Sequence, residues 1–233
     1  CAIAVHCAGV AESYRAAHGD ADIVAYPKRP STLGPRRNHS LRVWTDRERA
    51  SAKNVNLLVL RPTIHCNQDC QFCSATETTP NVWPNPGQMM RAIARAARRG
   101  VRRVSFSGGE PTLSKHLVDY VRVAHRCGIH NIEIVTNGVL LDAPAKVDAL
   151  KRAGLSHAFV SLHAHDEMLS RAMTQKIGDF DRTVRAVDLL LAAGVQTVLN
   201  HVINARNYRQ MSAFVDFVHE RWARPWPSVQ ISF

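Results

Sequence analysis

From residue 56 onward, short aliphatic runs alternate with stretches whose apolar residues recur at helical spacing. This alternation is typical of repeated βα units, in which the strands pair in parallel and the helices cover the sheet. The predicted strands are 56–61, 103–106, 131–136, 158–162, 197–203 and 228–233. The predicted helices are 88–99, 115–127, 143–153, 180–193 and 208–222.

Glycines follow four of these helices and predict clean ends, since glycine adopts the left-handed backbone of a helix cap without strain. They are Gly100, Gly128, Gly154 and Gly194. Parallel strands need right-handed crossovers, so six βα units form either an open doubly wound sheet or a partial barrel. In both architectures the functional groups lie at the carboxyl ends of the strands.

Residues 1–55 have a different pattern, broken by prolines and rich in basic side chains. We expect a poorly defined extension there, with one helix near residues 10–17, and a single main domain over residues 56–233. The sequence stops at the sixth strand, without a sixth helix, so we expect a barrel truncated at its C-terminus.

The charge balance is strongly basic, with 30 Lys and Arg against 19 Asp and Glu and a net charge of +11. Such a surface suits an anionic partner such as RNA, an acidic peptide or a phosphorylated substrate, although arginine-rich helices can also be merely solvated. No apolar run approaches the roughly 18 residues of a membrane span. We therefore expect a protein without a membrane segment.

Three of the six cysteines, Cys66, Cys70 and Cys73, crowd together directly after the first predicted strand. This crowding indicates a metal site in a reducing compartment, and hence a cytoplasmic protein, rather than a disulfide framework. A structural zinc ion prefers four ligands, and only His65 offers a fourth nearby. An iron–sulfur cluster tolerates three cysteines when its fourth iron meets a substrate. Cys127, at a helix end, is predicted to be a core residue.

The C-x3-C-x2-C spacing, with the aromatic Phe72 before the last cysteine, resembles the defining motif of the radical S-adenosylmethionine (SAM) superfamily. This resemblance implies a partial (β/α)6 barrel, a [4Fe–4S] cluster held by the three cysteines, and SAM chelated by the open iron. It covers residues 56–233, and its pattern is most similar to the molybdenum-cofactor and peptide-maturase branches.

Further segments at strand ends resemble the SAM-binding positions of that family. Gly108-Gly109-Glu110 is similar to a motif that binds the SAM amino group, and Thr136-Asn137 to a strand end near the SAM ribose. Ser161 with Arg171 is similar to a pair that meets the SAM carboxylate, and Asn200 is similar to a residue facing SAM or substrate. An ordinary turn or a solvated arginine would explain several of these residues equally well. The remaining candidates are three histidines, which are more often packed than catalytic: His163, His165 and His201.

The resemblance implies an enzyme that cleaves SAM to a 5′-deoxyadenosyl radical, which abstracts hydrogen from a peptide, RNA or small-molecule substrate. The implied partners are SAM and a one-electron reductant such as flavodoxin or ferredoxin. One alternative is a zinc-stabilised nucleic-acid-binding module, with Arg91, Arg95, Arg98, Arg99, Arg102 and Arg103 on phosphates. Because the first four recur at helical spacing, they are expected to form one solvated stripe. Another alternative is a barrel that binds SAM without cleaving it.

Overall fold

A computed structural model describes residues 56–73, 84–226 and 228–233, so the predicted extension of residues 1–55 lies outside the described residues. The described chain forms one six-stranded parallel sheet with the strands in sequence order. The strands are β1 (Leu57–Thr63), β2 (Arg103–Gly108), β3 (Asn131–Thr136), β4 (His157–Ser161), β5 (Gln196–Asn200) and β6 (Gln230–Ser232).

Six α-helices accompany the strands: α1 (Pro86–Arg98), α2 (Leu117–Arg126), α3 (Pro144–Ala153), α4 (Glu167–Thr174), α5 (Asp179–Ala192) and α6 (Met211–Val218). Helices α1 and α4 start at a side-chain N-cap, and α1 and α3 have a proline in the first turn. For example, the Asn85 side chain accepts the Gln88 N–H at 3.1 Å, and Pro86 occupies the first turn of α1. Shorter turns are the 3₁₀ segments Pro111–Leu113, Val139–Leu141 and Tyr208–Gln210, and the π-helical turn His219–Ala223.

Every neighbouring strand pair is parallel, and within the described residues β1 and β6 each have one neighbour. The sheet is therefore open rather than closed, which agrees with the partial barrel expected from the sequence. Consecutive parallel strands in this order place all six carboxyl ends along one edge. The segments that follow the strands therefore lie on the same side of the molecule.

The two faces of the sheet differ in polarity. One face carries buried residues such as Phe106, Ile134 and Leu199, which pack with helix residues including Ile93 and Leu190 in the main core. The opposite face, which carries alternate residues of each strand, is more polar. On this face Ser105 is the register partner of Glu133, and Asn200 is the register partner of both Ser161 and Ser232.

Two predictions from the sequence were incomplete. Helix α4 was missed because it is short and ends without glycine; its last turn is closed by Gln175, whose φ is 58°. Its N-cap, Asp166, accepts the Leu169 N–H at 2.7 Å and was a usable signal. The predicted helix 208–222 is divided into a 3₁₀ turn, α6 and a π-helical turn.

The π-helical turn has a clear anchor in the core. Trp222 is fully buried and donates from Nε1 to Asp188 on α5 at 2.7 Å. Arg221 binds the other oxygen of the same carboxylate at 2.7 Å. Two donors on one aspartate thus fix the end of the last helical segment against α5.

Cys127 was wrongly predicted to be a core residue: it caps α2 and is exposed. The predicted arginine stripe is present, since Arg91, Arg95 and Arg98 on α1 and its C-cap residue Arg99 are all exposed. Among the described residues, no helix combines the length and apolar character needed to cross a membrane.

Candidate active site

The three clustered cysteines lie on the loop that follows β1 at the carboxyl edge of the sheet. Cys66 and Cys73 are exposed, Cys70 is partly buried, and none of the three forms a disulfide. The Cys73 N–H donates to the Cys70 carbonyl at 3.0 Å, which turns the chain so that the last two cysteines are close in sequence and space. At the start of the loop, the Thr63 hydroxyl accepts the His65 N–H at 3.0 Å.

Two hydrogen bonds attach the cysteine loop to helices α4 and α5, which follow β4. Gln68 donates from Nε2 to the buried carboxylate of Asp179, the first residue of α5, at 3.0 Å. The Asp69 N–H donates to the carbonyl of Thr174, the last residue of α4, at 3.1 Å. Because both partners belong to helices beyond β4, the loop bridges the edge of the sheet rather than extending into solvent.

Two further side chains hold the loop from β3 and from the segment after β5. The Asn137 amide donates to the Asn67 side-chain oxygen at 2.8 Å and lies 3.8 Å from the Cys66 sulfur. Arg206 donates to the side-chain oxygen of Gln71 at 2.7 Å. The loop is therefore held at several points before any metal binds.

The thiols have unfavourable surroundings for spontaneous ionisation. Burial, with smaller contributions from the neighbouring Cys66 and Cys73, raises the pKa of Cys70 to about 12. Burial is also the main reason that the pKa of Cys66 is raised. A cationic metal core reverses this effect, because a coordinated thiol is deprotonated outright. The donor set therefore fits an iron–sulfur core bound by three thiolates.

Glu110 joins the ends of β2 and β3. One carboxylate oxygen accepts the Thr112 N–H at 3.0 Å, the Thr112 hydroxyl at 2.5 Å and the Thr136 hydroxyl at 2.7 Å. The other oxygen accepts the Asn137 N–H at 2.8 Å. Burial raises the pKa of Glu110 even though these four donors favour its ionised form. The second oxygen, with one donor, has the free capacity to meet an ammonium group.

The two glycines before Glu110 allow the cysteine loop to approach the end of β2. A β-carbon on Gly109 would lie 2.1 Å from the His65 carbonyl oxygen, and one on Gly108 would lie 2.3 Å from that of Thr63. The Glu110 N–H also donates to the His65 carbonyl at 2.7 Å. Glycine is thus required here by close backbone packing.

The ends of β4 and β5 bring Ser161 and Asn200 together. These two residues are register partners on the more polar face of the sheet, and both are partly buried. Arg171 lies on α4, where it is exposed. The fold therefore pairs Ser161 with Asn200, whereas the proximity of Ser161 to Arg171 stays a prediction.

Two buried histidines follow the same strands. His201 lies against the Leu162 carbonyl, with Nδ1 at 3.1 Å, and its Nε2 is 3.2 Å from the Asn207 amide. His163 packs edge-on against Phe72, with the ring centroids 4.8 Å apart. Burial lowers the pKa of both imidazoles, that of His163 to about 4. Both side chains are therefore neutral near pH 7.

Glu110, Thr136 and Asn137 are thus linked to one another, and Asn137 is linked to the cysteine loop. Ser161 and Asn200 are paired with each other by strand register. Sequence analysis missed the loop anchors Asn67, Gln68, Gln71 and Asp179, because their partners are far away in the chain. Within the described residues, no group of three His, Cys, Asp or Glu side chains is arranged around a single metal ion.

Comparison with known proteins agrees with this geometry. The pattern of the Radical SAM superfamily matches residues 60–218. A probable GTP 3′,8-cyclase of Thermoplasma volcanium is 33% identical over 162 residues, which is 68% of this chain and 48% of that protein. The PqqA peptide cyclase of Gluconobacter oxydans is 34% identical over 158 residues, which is 64% of this chain and 42% of that protein.

Solved structures share the fold at lower identity. Streptococcus suis SuiB bound to S-adenosylmethionine superposes with a TM-score of 0.63 and 22% identity, covering 78% of this chain and 46% of SuiB. Native anSMEcpe with bound AdoMet and Cp18Cys peptide gives 0.61 and 17% identity, covering 75% of this chain and 50% of that one.

The chain spans about half the length of the curated relatives it matches. Those relatives fall within the molybdenum-cofactor and peptide-maturase branches that the sequence motifs indicated. The matched region includes the end of β1, the cysteine loop and β2 to β5. The chain therefore belongs to the radical SAM superfamily, a family of enzymes whose cofactors are SAM and a [4Fe–4S] cluster.

Proposed function

We propose that this protein reductively cleaves SAM at a [4Fe–4S] cluster bound by Cys66, Cys70 and Cys73. The observation that carries the proposal is the anchored three-thiol loop at the carboxyl edge of the open barrel. When bound, the cluster and SAM together supply a 5′-deoxyadenosyl radical that abstracts hydrogen from the substrate. The chain's own residues position these groups and restrict access to water.

The three thiols leave one iron without a protein ligand, which is where the methionine end of SAM would bind. We assign the second oxygen of Glu110 and the backbone around Gly108 and Gly109 to the SAM amino group. Thr136 is engaged by Glu110, and it therefore acts by holding that carboxylate in place.

We assign Ser161 and Asn200 to the polar parts of SAM or the substrate, since they are paired at adjacent strand ends and remain partly accessible. Arg171 would reach the SAM carboxylate only if its exposed side chain folds over the site, and its guanidinium is a good partner for a carboxylate. Phe72 offers an apolar ring beside the cluster.

For the substrate, we propose a peptide as the first class to test, ahead of RNA and small molecules. The support comes from one relative named as a peptide cyclase and from SuiB, solved with its precursor peptide SuiA. The net charge of +11 suits an acidic peptide. A flavodoxin or ferredoxin in the cytoplasm, where thiols stay reduced, would supply the electron.

The cluster proposal is tested by anaerobic reconstitution with iron and sulfide. Single Cys66→Ala, Cys70→Ala and Cys73→Ala variants are compared with Cys127→Ala, which removes an exposed thiol outside the loop. We expect about four irons per chain in the wild type and in Cys127→Ala, with a reduced-state EPR signal that changes on adding SAM. The three loop variants should lose that signal. A cluster that survives all three loop substitutions would contradict the assignment.

A further inference from the structure

Two exposed histidines meet at the turn that joins α2 to β3. His125 lies in the last turn of α2, and His130 directly precedes β3. Their Nδ1 atoms are 3.4 Å apart, and their rings are inclined at 77° with the centroids separated by 4.9 Å. The two imidazoles therefore turn the same ring nitrogen towards one another at the protein surface.

The backbone of this turn fixes the spacing of the pair. The Ile129 N–H donates to the Ala124 carbonyl at 3.1 Å. The Gly128 N–H donates to the His125 carbonyl at 3.0 Å, and the φ of Gly128 is 84°. Together these features form the Schellman arrangement that closes a helix. Because the side chain of Ile129 is also buried in the main core, the residues around it are held in place.

The ring of His125 is further held by the end of α3. A β-carbon on Gly154, the C-cap of that helix, would lie 2.5 Å from Cγ of His125. The imidazole thus lies directly against the backbone, and a residue larger than glycine would displace it. Since packing orders this ring before any ligand binds, a ligand has less conformational entropy to remove.

The 3.4 Å separation of the two Nδ1 atoms matches that of two ligands on one metal ion. A tetrahedral ion with nitrogen ligands at about 2.0–2.1 Å places those nitrogens about 3.3–3.4 Å apart. An N–H hydrogen bond is usually about 2.7–3.2 Å long, so the pair is spaced too widely for a strong one. Imidazole nitrogen is also a ligand that zinc, copper and nickel ions favour. The pair therefore has both the donor atoms and the spacing of a two-histidine metal site.

We propose that Nδ1 of His125 and Nδ1 of His130 together bind a divalent transition-metal ion, with Zn²⁺ as the first ion to test. Among the described residues, no third His, Cys, Asp or Glu side chain is grouped with this pair around one ion, so water completes the coordination. The six residues of β3 separate the pair from Asn137, which holds the cysteine loop, by about 20 Å. The ion therefore joins α2 to β3 at the opposite edge of the sheet, and its binding is independent of SAM cleavage.

The measurement is calorimetric titration of Zn²⁺ into the anaerobically reconstituted protein, in which the cluster occupies the loop thiols. His125→Gln and His130→Gln are compared with His219→Gln, which removes an exposed histidine on the π-helical turn. Because the two imidazoles act as one chelate, we expect either substitution in the pair to weaken Zn²⁺ binding by about 100-fold. His219→Gln and Cys127→Ala, which leave the pair intact, should bind Zn²⁺ within about twofold of the wild type.

Comparison among these variants isolates the pair from any other zinc-binding group of the chain. Equal Zn²⁺ affinity in the wild type and in both pair variants would overturn the inference, since the two histidines would then make only a hydrogen bond. Loss of binding in Cys127→Ala with both pair variants unchanged would also overturn it, because the thiol would then hold the ion. Neither result affects the proposed function, which fails separately if the wild type holds no cluster or releases no 5′-deoxyadenosine.

Discussion

Glu110→Gln tests whether this carboxylate mainly holds the strand ends together. The glutamine oxygen can keep the bonds from Thr112 and Thr136, but its NH2 group then faces the Asn137 N–H, which loses its acceptor. A bond to a charged acceptor contributes about 1.5–3 kcal/mol, and a buried orphan N–H adds a further cost of about 1–3 kcal/mol. Part of this loss is offset because the buried charge, which already raises the pKa of Glu110, is removed.

The expected net effect of Glu110→Gln is a loss of about 2–3 kcal/mol in the free energy of unfolding. For a domain of this size, that loss lowers the melting temperature by about 5–10 °C. The assay is thermal unfolding followed by circular dichroism, without added SAM. Glu133→Gln is the matched control, because its carboxylate bonds Ser105 and the exposed Arg103 and should contribute less than about 1 kcal/mol.

A melting temperature of Glu110→Gln within about 1 °C of the wild type would refute this reasoning. If that variant also bound SAM more weakly, the carboxylate would serve the ligand and not the fold. If the Glu110 and Glu133 variants lost equal stability, the four-donor arrangement would have no special importance.

Three further predictions concern other parts of the site. Because burial lowers the pKa of His163 from 6.5 to about 4, its contribution to stability is present above pH 6.5 and is lost as the pH falls towards 4. Between about pH 7.5 and 5.5, the free energy of unfolding of His163→Asn should therefore fall by about 1 kcal/mol less than that of the wild type. Equal losses in the two proteins would contradict this prediction. Gly109→Ala should destabilise the protein by more than about 3 kcal/mol in chemical denaturation, since its β-carbon meets the His65 carbonyl, whereas Gly100→Ala, in open space, should cost about 1 kcal/mol. Asn137→Ala should speed iron loss to a chelator several-fold by releasing the cysteine loop, and an unchanged rate would show that this amide is dispensable.

The fold was largely predictable because its determinants are local. Strand β3 was predicted with its observed bounds, and the glycines at 100, 128, 154 and 194 all have positive φ, as helix ends require. Helix α4 could not be found from a closing glycine, since Gln175 takes the left-handed position. The partial barrel itself followed from the resemblance, because periodicity alone also allowed an open doubly wound sheet.

The sequence predicted the candidate site residues but not the contacts that hold them in place. The cysteines and the Gly108–Glu110 turn lie in short motifs, so their chemistry can be recognised from spacing. The anchors of the loop cannot be recognised in this way, because Gln68 and Asp179 are 111 positions apart. The bond from the Val202 N–H to Nδ1 of His163 likewise joins residues 39 positions apart.

The central claim is tested most directly by measuring 5′-deoxyadenosine released from SAM by the anaerobically reconstituted protein under dithionite. The comparison uses the Cys66→Ala, Cys70→Ala, Cys73→Ala triple variant, with Cys127→Ala as the control. We predict release by the wild type and by Cys127→Ala and none by the triple variant. Wild-type protein that holds a full cluster and releases no 5′-deoxyadenosine, or triple variant that releases it at the wild-type rate, would contradict the proposed function.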